Sequence, residues 1–217
     1  MSRTRIKFCG FTRAADLALA VELGVDYVGL VFAPRSPRRL GVEQAKALRA
    51  AVPAEIGVVA LLMDNPADEA RTIVEAVEPD ILQFHGREDD AFCAVFGLPF
   101  WKAVAMGGEG VDAAAEFARF PSASAFLLDG HGAGEPGGSG RRFDWSRVPQ
   151  AAGKPVLLAG GLSADNVGLA IRTARPWGVD VSSGIEAGGI ESAPGHKDAG
   201  KMRRFADAVR AADAAAE

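Results

Sequence analysis

Cysteine is scarce: Cys9 and Cys93 are the only two in 217 residues. Two thiols make no disulfide framework at this length, and each reads as a reduced thiol of an intracellular protein. An excess of basic residues is also lacking. Lys and Arg number 24 against 28 Asp and Glu, a formal charge of −4, which speaks against general nucleic-acid binding. Aromatic residues make up 7%, too few for base-stacking platforms. No apolar run approaches the roughly 18 residues of a membrane span. Met1 to Arg5 is basic, but no apolar region follows it, so a signal peptide is not expected. The expected location is the cytoplasm, with neither membrane nor nucleic acid as partner.

What is present is a regular alternation. A hydrophobic fraction of 48% suffices for a large core, and the length fits one domain, residues 1–217. Short apolar runs occur at residues 6–9, 27–32, 57–62, 81–84, 100–104, 125–128, 155–159 and 179–182. Most are apolar on both parities, as in parallel strands covered on both faces. Helical stripes lie between them. Ala70, Ile73, Val74 and Val77 recur at i, i+3, i+4, i+7 after Asn65 as N-cap and Pro66 at the first helical position. Val167, Ala170, Ile171 and Ala174 repeat the pattern with Ser163 as N-cap, and Met202, Phe205, Ala206 and Val209 repeat it again. Gly24 is placed to end a shorter helix around Leu17 to Val21. The Ala-rich tail after Arg210 reads as a frayed helix end. Eight such units suggest a (β/α)8 TIM barrel or an open doubly wound sheet. The count favours the barrel, and so do polar and Gly-rich clusters that follow strands rather than helices.

In a barrel the strand-to-helix loops share one rim, where the active site lies. The strand ends therefore supply the candidates. Gly138-Ser139-Gly140, Gly160-Gly161 and Ser182-Ser183-Gly184 each read alone as tight turns. Three such groups after consecutive strands point to a phosphate clamp of backbone N–H groups. Cys9 alone reads as a small buried hydrophobe. It precedes a glycine at a polar rim, however, and modest electropositive help makes a thiol a usable base. Asp129 ends the apolar run Phe126-Leu127-Leu128, where a carboxylate is costly without partners or a task. Arg38 and Arg39 alone read as solvated charge. Pro34 and Pro37 stiffen their loop, though, and a held arginine suits bidentate capture of a carboxylate. Asp180 and His85 read first as structural residues, and Cys93, between Phe92 and Phe96, as packing. His131 and His196 form no recognisable zinc spacing with Cys9 or Asp129, so no metal site is expected.

The ordered set of motifs resembles the phosphoribosylanthranilate isomerases of tryptophan biosynthesis. The residues that carry the likeness are Lys7-Phe8-Cys9-Gly10-Phe11-Thr12-Arg13, Ser36-Pro37-Arg38, Leu82-Gln83-Phe84-His85-Gly86, Leu127-Leu128-Asp129, Gly137-Gly138-Ser139-Gly140, Phe143-Asp144-Trp145, Leu158-Ala159-Gly160-Gly161-Leu162, Val179-Asp180-Val181-Ser182-Ser183-Gly184-Ile185-Glu186 and Pro194-Gly195-His196-Lys197-Asp198. The resemblance implies a (β/α)8 barrel and an Amadori rearrangement of N-(5'-phosphoribosyl)anthranilate. It implies Cys9 as general base, Asp129 as general acid and Arg38 facing the anthranilate carboxylate. Gly138, Ser139, Gly140, Gly160, Gly161, Ser182, Ser183 and Gly184 would hold the phosphate, and Asp180 is grouped with the substrate-binding residues. No cofactor is implied, because the anthranilate nitrogen serves as electron sink; the partner is a small phosphorylated substrate. The chain departs from the family pattern at residues 187–192, which leaves Glu186 or Glu191 to match the family glutamate, and at His196, which receives no role.

Two other functions fit parts of the pattern. A histidine-pathway isomerase performs the same rearrangement on a larger aminoaldose, but resembles two repeated halves and carries Asp where Cys9 stands. A non-catalytic phosphate-binding barrel would keep the glycine loops without needing both Cys9 and Asp129.

Overall fold

The computed structural model describes residues 3–108, 110–132, 141–149, 153–188 and 194–215. Eight strands follow in order: β1 (Arg5–Cys9), β2 (Tyr27–Val31), β3 (Gly57–Leu62), β4 (Ile81–Phe84), β5 (Phe100–Ala105), β6 (Ala125–Asp129), β7 (Val156–Leu158) and β8 (Gly178–Val181). Each pairs in parallel with the next, and β8 returns to β1, so the sheet closes into a barrel. The helices between them are α1 (Ala14–Glu22), α2 (Val42–Arg49), α3 (Ala67–Val77), α4 (Asp90–Ala94), α5 (Ala113–Ala118), α6 (Val167–Ala174) and α7 (Ala199–Ala214). The β6–β7 connection carries, among its described residues, the single turn Trp145–Arg147. Among the described residues no helix is long and apolar enough to cross a membrane.

Strand alternation sorts the side chains into two cores. One parity, including Ile6, Phe8, Val28, Leu30, Phe84 and Leu128, joins Leu17, Ile73 and Phe205 of the helices in a continuous outer layer. Fully burying one such side chain is worth about 1.5–3 kcal/mol. The opposite parity fills the lumen with Val59, Trp101, Ala103, Leu127, Leu157 and Ala159. Tyr27, Trp101 and Trp177 close the strand-start end, with ring centroids 5.0 to 6.3 Å apart. The same parity carries Lys7, Gln83, Asp129 and Asp180, all buried. Polar side chains thus project inward at or near the strand ends, and the site is built from them.

Local signals held in kind and slipped in position. Helix α3 begins one residue after Pro66, which is itself the N-cap. Asn65 instead accepts from the Met63 N–H and donates to the Phe32 carbonyl, tying two rim loops together. Asn166, not Ser163, occupies the N-cap position of α6, with no side-chain bond to the helix; its Oδ1 instead takes the Ser163 N–H in a turn ahead of it. The C-terminal tail stays helical to Ala214 rather than fraying after Arg210. There Asp213 accepts from Thr4 through both backbone and hydroxyl and pins the last turn to the start of the chain.

Candidate active site

Cys9, Arg38, Asp129, Gly160, Gly161, Asp180, Ser182, Ser183 and Gly184 all line one cavity at the carboxyl ends of the strands, about 700 Å³ including its open mouth. Nine expected residues scattered from β1 to β8 are thereby brought together. Gly138, Ser139 and Gly140 lie outside the described residues. Cys93 is buried in α4, and its thiol is pushed up to about 12 by burial, as suits a packing residue.

Cys9 ends β1 and is 3% exposed. Gly29 of β2 makes room for it: a Cβ there would stand 2.5 Å from the Cys9 sulfur. Two residues earlier on the same face, Lys7 is fully buried and donates to Asp180 at 2.9 Å. These two are register partners on β1 and β8. Burial pushes the Cys9 thiol above its ordinary value, against the pull of the Lys7 ammonium. Electropositive help is therefore present, as the sequence led one to expect, but burial outweighs it. Asp180, grouped with substrate contacts from the sequence, has one oxygen committed to Lys7.

Arg38 is held on the other side of the same strand end. Its Nε and Nη2 donate to the two carboxylate oxygens of Glu186 at 2.6 and 2.8 Å. Lys197 Nζ and the Gly195 N–H also reach Glu186 Oε1, each at 3.1 Å. Hydrogen bonding to Glu186 raises the Arg38 guanidinium further. Burial pushes the Glu186 carboxyl up, but Arg38 and Lys197 bring it below the usual range. Two cationic side chains thus share one carboxylate, which leaves a positive surplus at the cavity wall. Gly10, at φ +79°, permits the approach: a Cβ would stand 2.6 Å from Arg38 Cδ and 2.9 Å from Ser182 Oγ. Of the two glutamates left open by sequence, Glu186 is the one among the described residues, and it stands at the cavity wall. An antiparallel bridge between Glu186 and Lys197 spans the departure from the family pattern, and Glu191 lies outside the described residues.

Asp129 closes the site from β6. Its Oδ1 accepts the His131 N–H at 3.2 Å, and His131 Nδ1 lies 3.3 Å from the same oxygen. That contact is long for a hydrogen bond and lies within ion-pair range. Burial pushes the Asp129 carboxyl up, yet His131 and then His85 bring it below the usual value. His85 is fully buried and held down to about 3, chiefly by burial. The Gln83 side-chain amide lies 2.6 Å from His85 Nε2. His85, Asp129 and His131 place one donor atom each within 4.8 Å of one another, a cluster that no sequence spacing announced. Gly160, at φ +84°, lets the chain after β7 pass behind Asp129, where a Cβ would meet Asp129 Oδ1 at 2.8 Å.

Sequence reasoning left Lys7, His131 and Lys197 without roles. The signal for Lys7 was its parity: a lysine one pleat below Cys9 in an apolar strand must find an anion inside the barrel.

Comparison with known proteins agrees with this geometry. The model of the N-(5'-phosphoribosyl)anthranilate isomerase family matches residues 6–208. The isomerase of that name from Xanthomonas campestris pv. campestris is 53% identical over 216 residues, covering 97% of this chain and 95% of the relative. The crystal structure of the Thermus thermophilus enzyme superposes with a TM-score of 0.83 at 32% identity, covering 96% of this chain and 99% of that one. A further phosphoribosylanthranilate isomerase, solved in complex with reduced 1-(o-carboxyphenylamino)-1-deoxyribulose 5-phosphate, gives a TM-score of 0.81 at 30% identity, covering 96% and 99%. With the closed barrel and its rim already described, these matches leave one assignment: the chain belongs to the N-(5'-phosphoribosyl)anthranilate isomerase family of tryptophan biosynthesis.

Proposed function

We infer that this rim converts N-(5'-phosphoribosyl)anthranilate to 1-(2-carboxyphenylamino)-1-deoxyribulose 5-phosphate, with Cys9 as general base and Asp129 as general acid. One observation carries the reading: a thiol and a carboxyl group from β1 and β6 line a single cavity whose wall also holds Arg38 and two glycine-bearing loops. Asp129 protonates the ribose ring oxygen, and the ring opens to a protonated Schiff base. Cys9 then removes the C2 proton, the anthranilate nitrogen takes up the electron pair, and the enolamine tautomerises to the ketone. The reaction needs one acid and one base held on either side of the substrate, and no electron acceptor beyond the substrate itself.

Binding follows from the charge layout. Glu186 occupies two of the five guanidinium N–H donors of Arg38. The rest, with the surplus charge from Lys197, suit the anthranilate carboxylate. Backbone at Gly160, Gly161, Ser183 and Gly184 suits the phosphate, since three of the four have no side chain to block an anion. A relative solved with the reduced product supports the substrate class. The whole chain acts as one isomerase domain in the cytoplasm.

The test is kinetic. Cys9→Ser and Asp129→Asn should each lower kcat by roughly 100-fold or more with an unchanged circular dichroism spectrum. Loss of substrate fluorescence reports the rate. Full activity in either variant overturns the assignment, and faster turnover of the histidine-pathway aminoaldose would move the chain to that reaction.

A further inference from the structure

Each turnover leaves the two proposed groups in the wrong protonation states. Cys9 has gained the C2 proton, and Asp129 has lost one to the ring oxygen. Asp129 must be reloaded before the next ring opens, and the substrate occupies the cavity between them.

A route exists behind Asp129. His131 lies two residues beyond it, with its ring 2% exposed. Its Nδ1 faces Asp129 Oδ1 at 3.3 Å and has no hydrogen-bond partner. The ring stacks on His85 with centroids 5.6 Å apart and planes 17° from parallel. His85 and Asp129 line the substrate cavity, and His131 does not. A second cavity, about 900 Å³ with its open mouth, is lined by His85 and His131 and not by Asp129. The two imidazoles therefore form the partition between the acid and a separate solvent-accessible space.

The charged groups around this partition are already committed. Lys7 of β1 is paired with Asp180 of β8 at 2.9 Å. Lys102 of β5 is held by Glu88 at 3.1 Å and the Gly86 carbonyl at 2.6 Å. Across the second cavity, Glu116 and Arg119 of the α5 region pair at 2.8 Å. His85, just after β4, stays neutral far below physiological pH. Imidazole is a side chain suited to exchanging protons, and His131 faces Asp129 and lines the second cavity without lining the first.

We propose that His131 is a positioning and proton-relay residue that reloads Asp129 from the second cavity. The imidazolium gives its Nδ1 proton to Asp129 Oδ1, breaking one N–H bond and forming one O–H bond. The neutral ring then turns and takes a proton from solvent in the second cavity, while the Cys9 thiol returns the C2 proton to solvent. Protons balance over the cycle, and nothing is oxidised or reduced. The proposal rests on Asp129 as the acid, and the experiment separates the two.

The full-length chain is assayed as wild type, His131→Gln, His131→Ala and Asp129→Asn, over a range of pH. His131→Gln should keep KM within about twofold and lower kcat about tenfold. The alkaline limb of its kcat profile should move to higher pH, because the ring no longer draws the Asp129 carboxyl below its usual value. Millimolar imidazole should restore kcat in His131→Ala and leave His131→Gln unchanged. Wild-type kcat and pH profile in His131→Gln, with Asp129→Asn inactive, overturns the relay alone. An active Asp129→Asn overturns the acid assignment beneath it. A kcat loss that tracks a fall in Tm and does not respond to imidazole makes His131 merely structural. Inactivation of wild type by a chelator would make the His85–Asp129–His131 cluster a metal site and also overturns the relay.

Discussion

Glu186 grips Arg38 through two parallel hydrogen bonds of 2.6 and 2.8 Å, joining the loop after β2 to the loop after β8. A long side chain that would otherwise lose rotamer freedom on meeting substrate is already in place. Arg38→Ala should therefore raise KM by roughly tenfold or more, and Glu186→Gln should raise it less, about three- to tenfold, with kcat changed little in either. Michaelis curves at one pH decide the matter. An unchanged KM in Arg38→Ala would remove Arg38 from carboxylate recognition.

Lys7 serves two neighbours at once, the Asp180 carboxylate at 2.9 Å and the Cys9 thiol. Removing a buried cation strands its partner, at about 3–5 kcal/mol. Lys7→Met should lose stability on that scale, and adding Asp180→Asn should return much of it by removing the stranded charge. Activity should not return with it. Burial already holds the thiol above its ordinary value, and without Lys7 it rises further, so the acidic limb of kcat/KM moves to higher pH. Urea denaturation and a pH–rate profile of the single and double variants separate the two effects.

The barrel was legible because parallel strands buried on both faces leave an apolar run on every parity, and all eight runs became strands. Cap positions were less so. Asn65 and Ser163 carry the right chemistry for N-caps, but Asn65 is drawn away to the Phe32 carbonyl, 33 residues distant in sequence, and propensity has no knowledge of such partners. At the rim, Cys9 and Asp129 were visible as reactive groups at the ends of apolar strands. Their tuning groups were not. Lys7 and Asp180 meet across 173 residues, and only strand register brings them level. The pairing of Glu186 with Arg38 spans 148 residues and was equally invisible. His131 sits two residues past Asp129, a spacing that matches no motif and acquires meaning only from the ring of His85 opposite it.

His85 makes the fold sensitive to acid. Its pKa falls from an ordinary 6.5 to about 3, so between those values the unfolded chain binds the proton and the native one does not. Stability then rises with pH across that window and is lost as pH falls through it, by up to about 1.4 kcal/mol per pH unit. Above pH 6.5 this group contributes no slope. Unfolding free energies at pH 7 and pH 5 should differ more in wild type than in His85→Asn. Equal differences would mean that the ring is solvated or charged in the native state.

Gly29 tests how closely the base is placed. It lies opposite Cys9 in the β1–β2 register, and a Cβ built on it would stand 2.5 Å from the sulfur and 3.1 Å from Cys9 Cα. Such contacts cannot persist, so Gly29→Ala must either turn the thiol or move β1. No positive φ is needed at Gly29, so the alanine brings no backbone strain of its own and its effect is confined to the displaced side chain. Overpacking of this kind costs about 1–3 kcal/mol, which a barrel of this size should survive folded. A base moved by an ångström should cost on the order of 100-fold in kcat. The expected result is a folded protein with a modestly lower Tm and a kcat near that of Cys9→Ser. Wild-type kcat in folded Gly29→Ala would show that the thiol position is not critical and would count against Cys9 as the base.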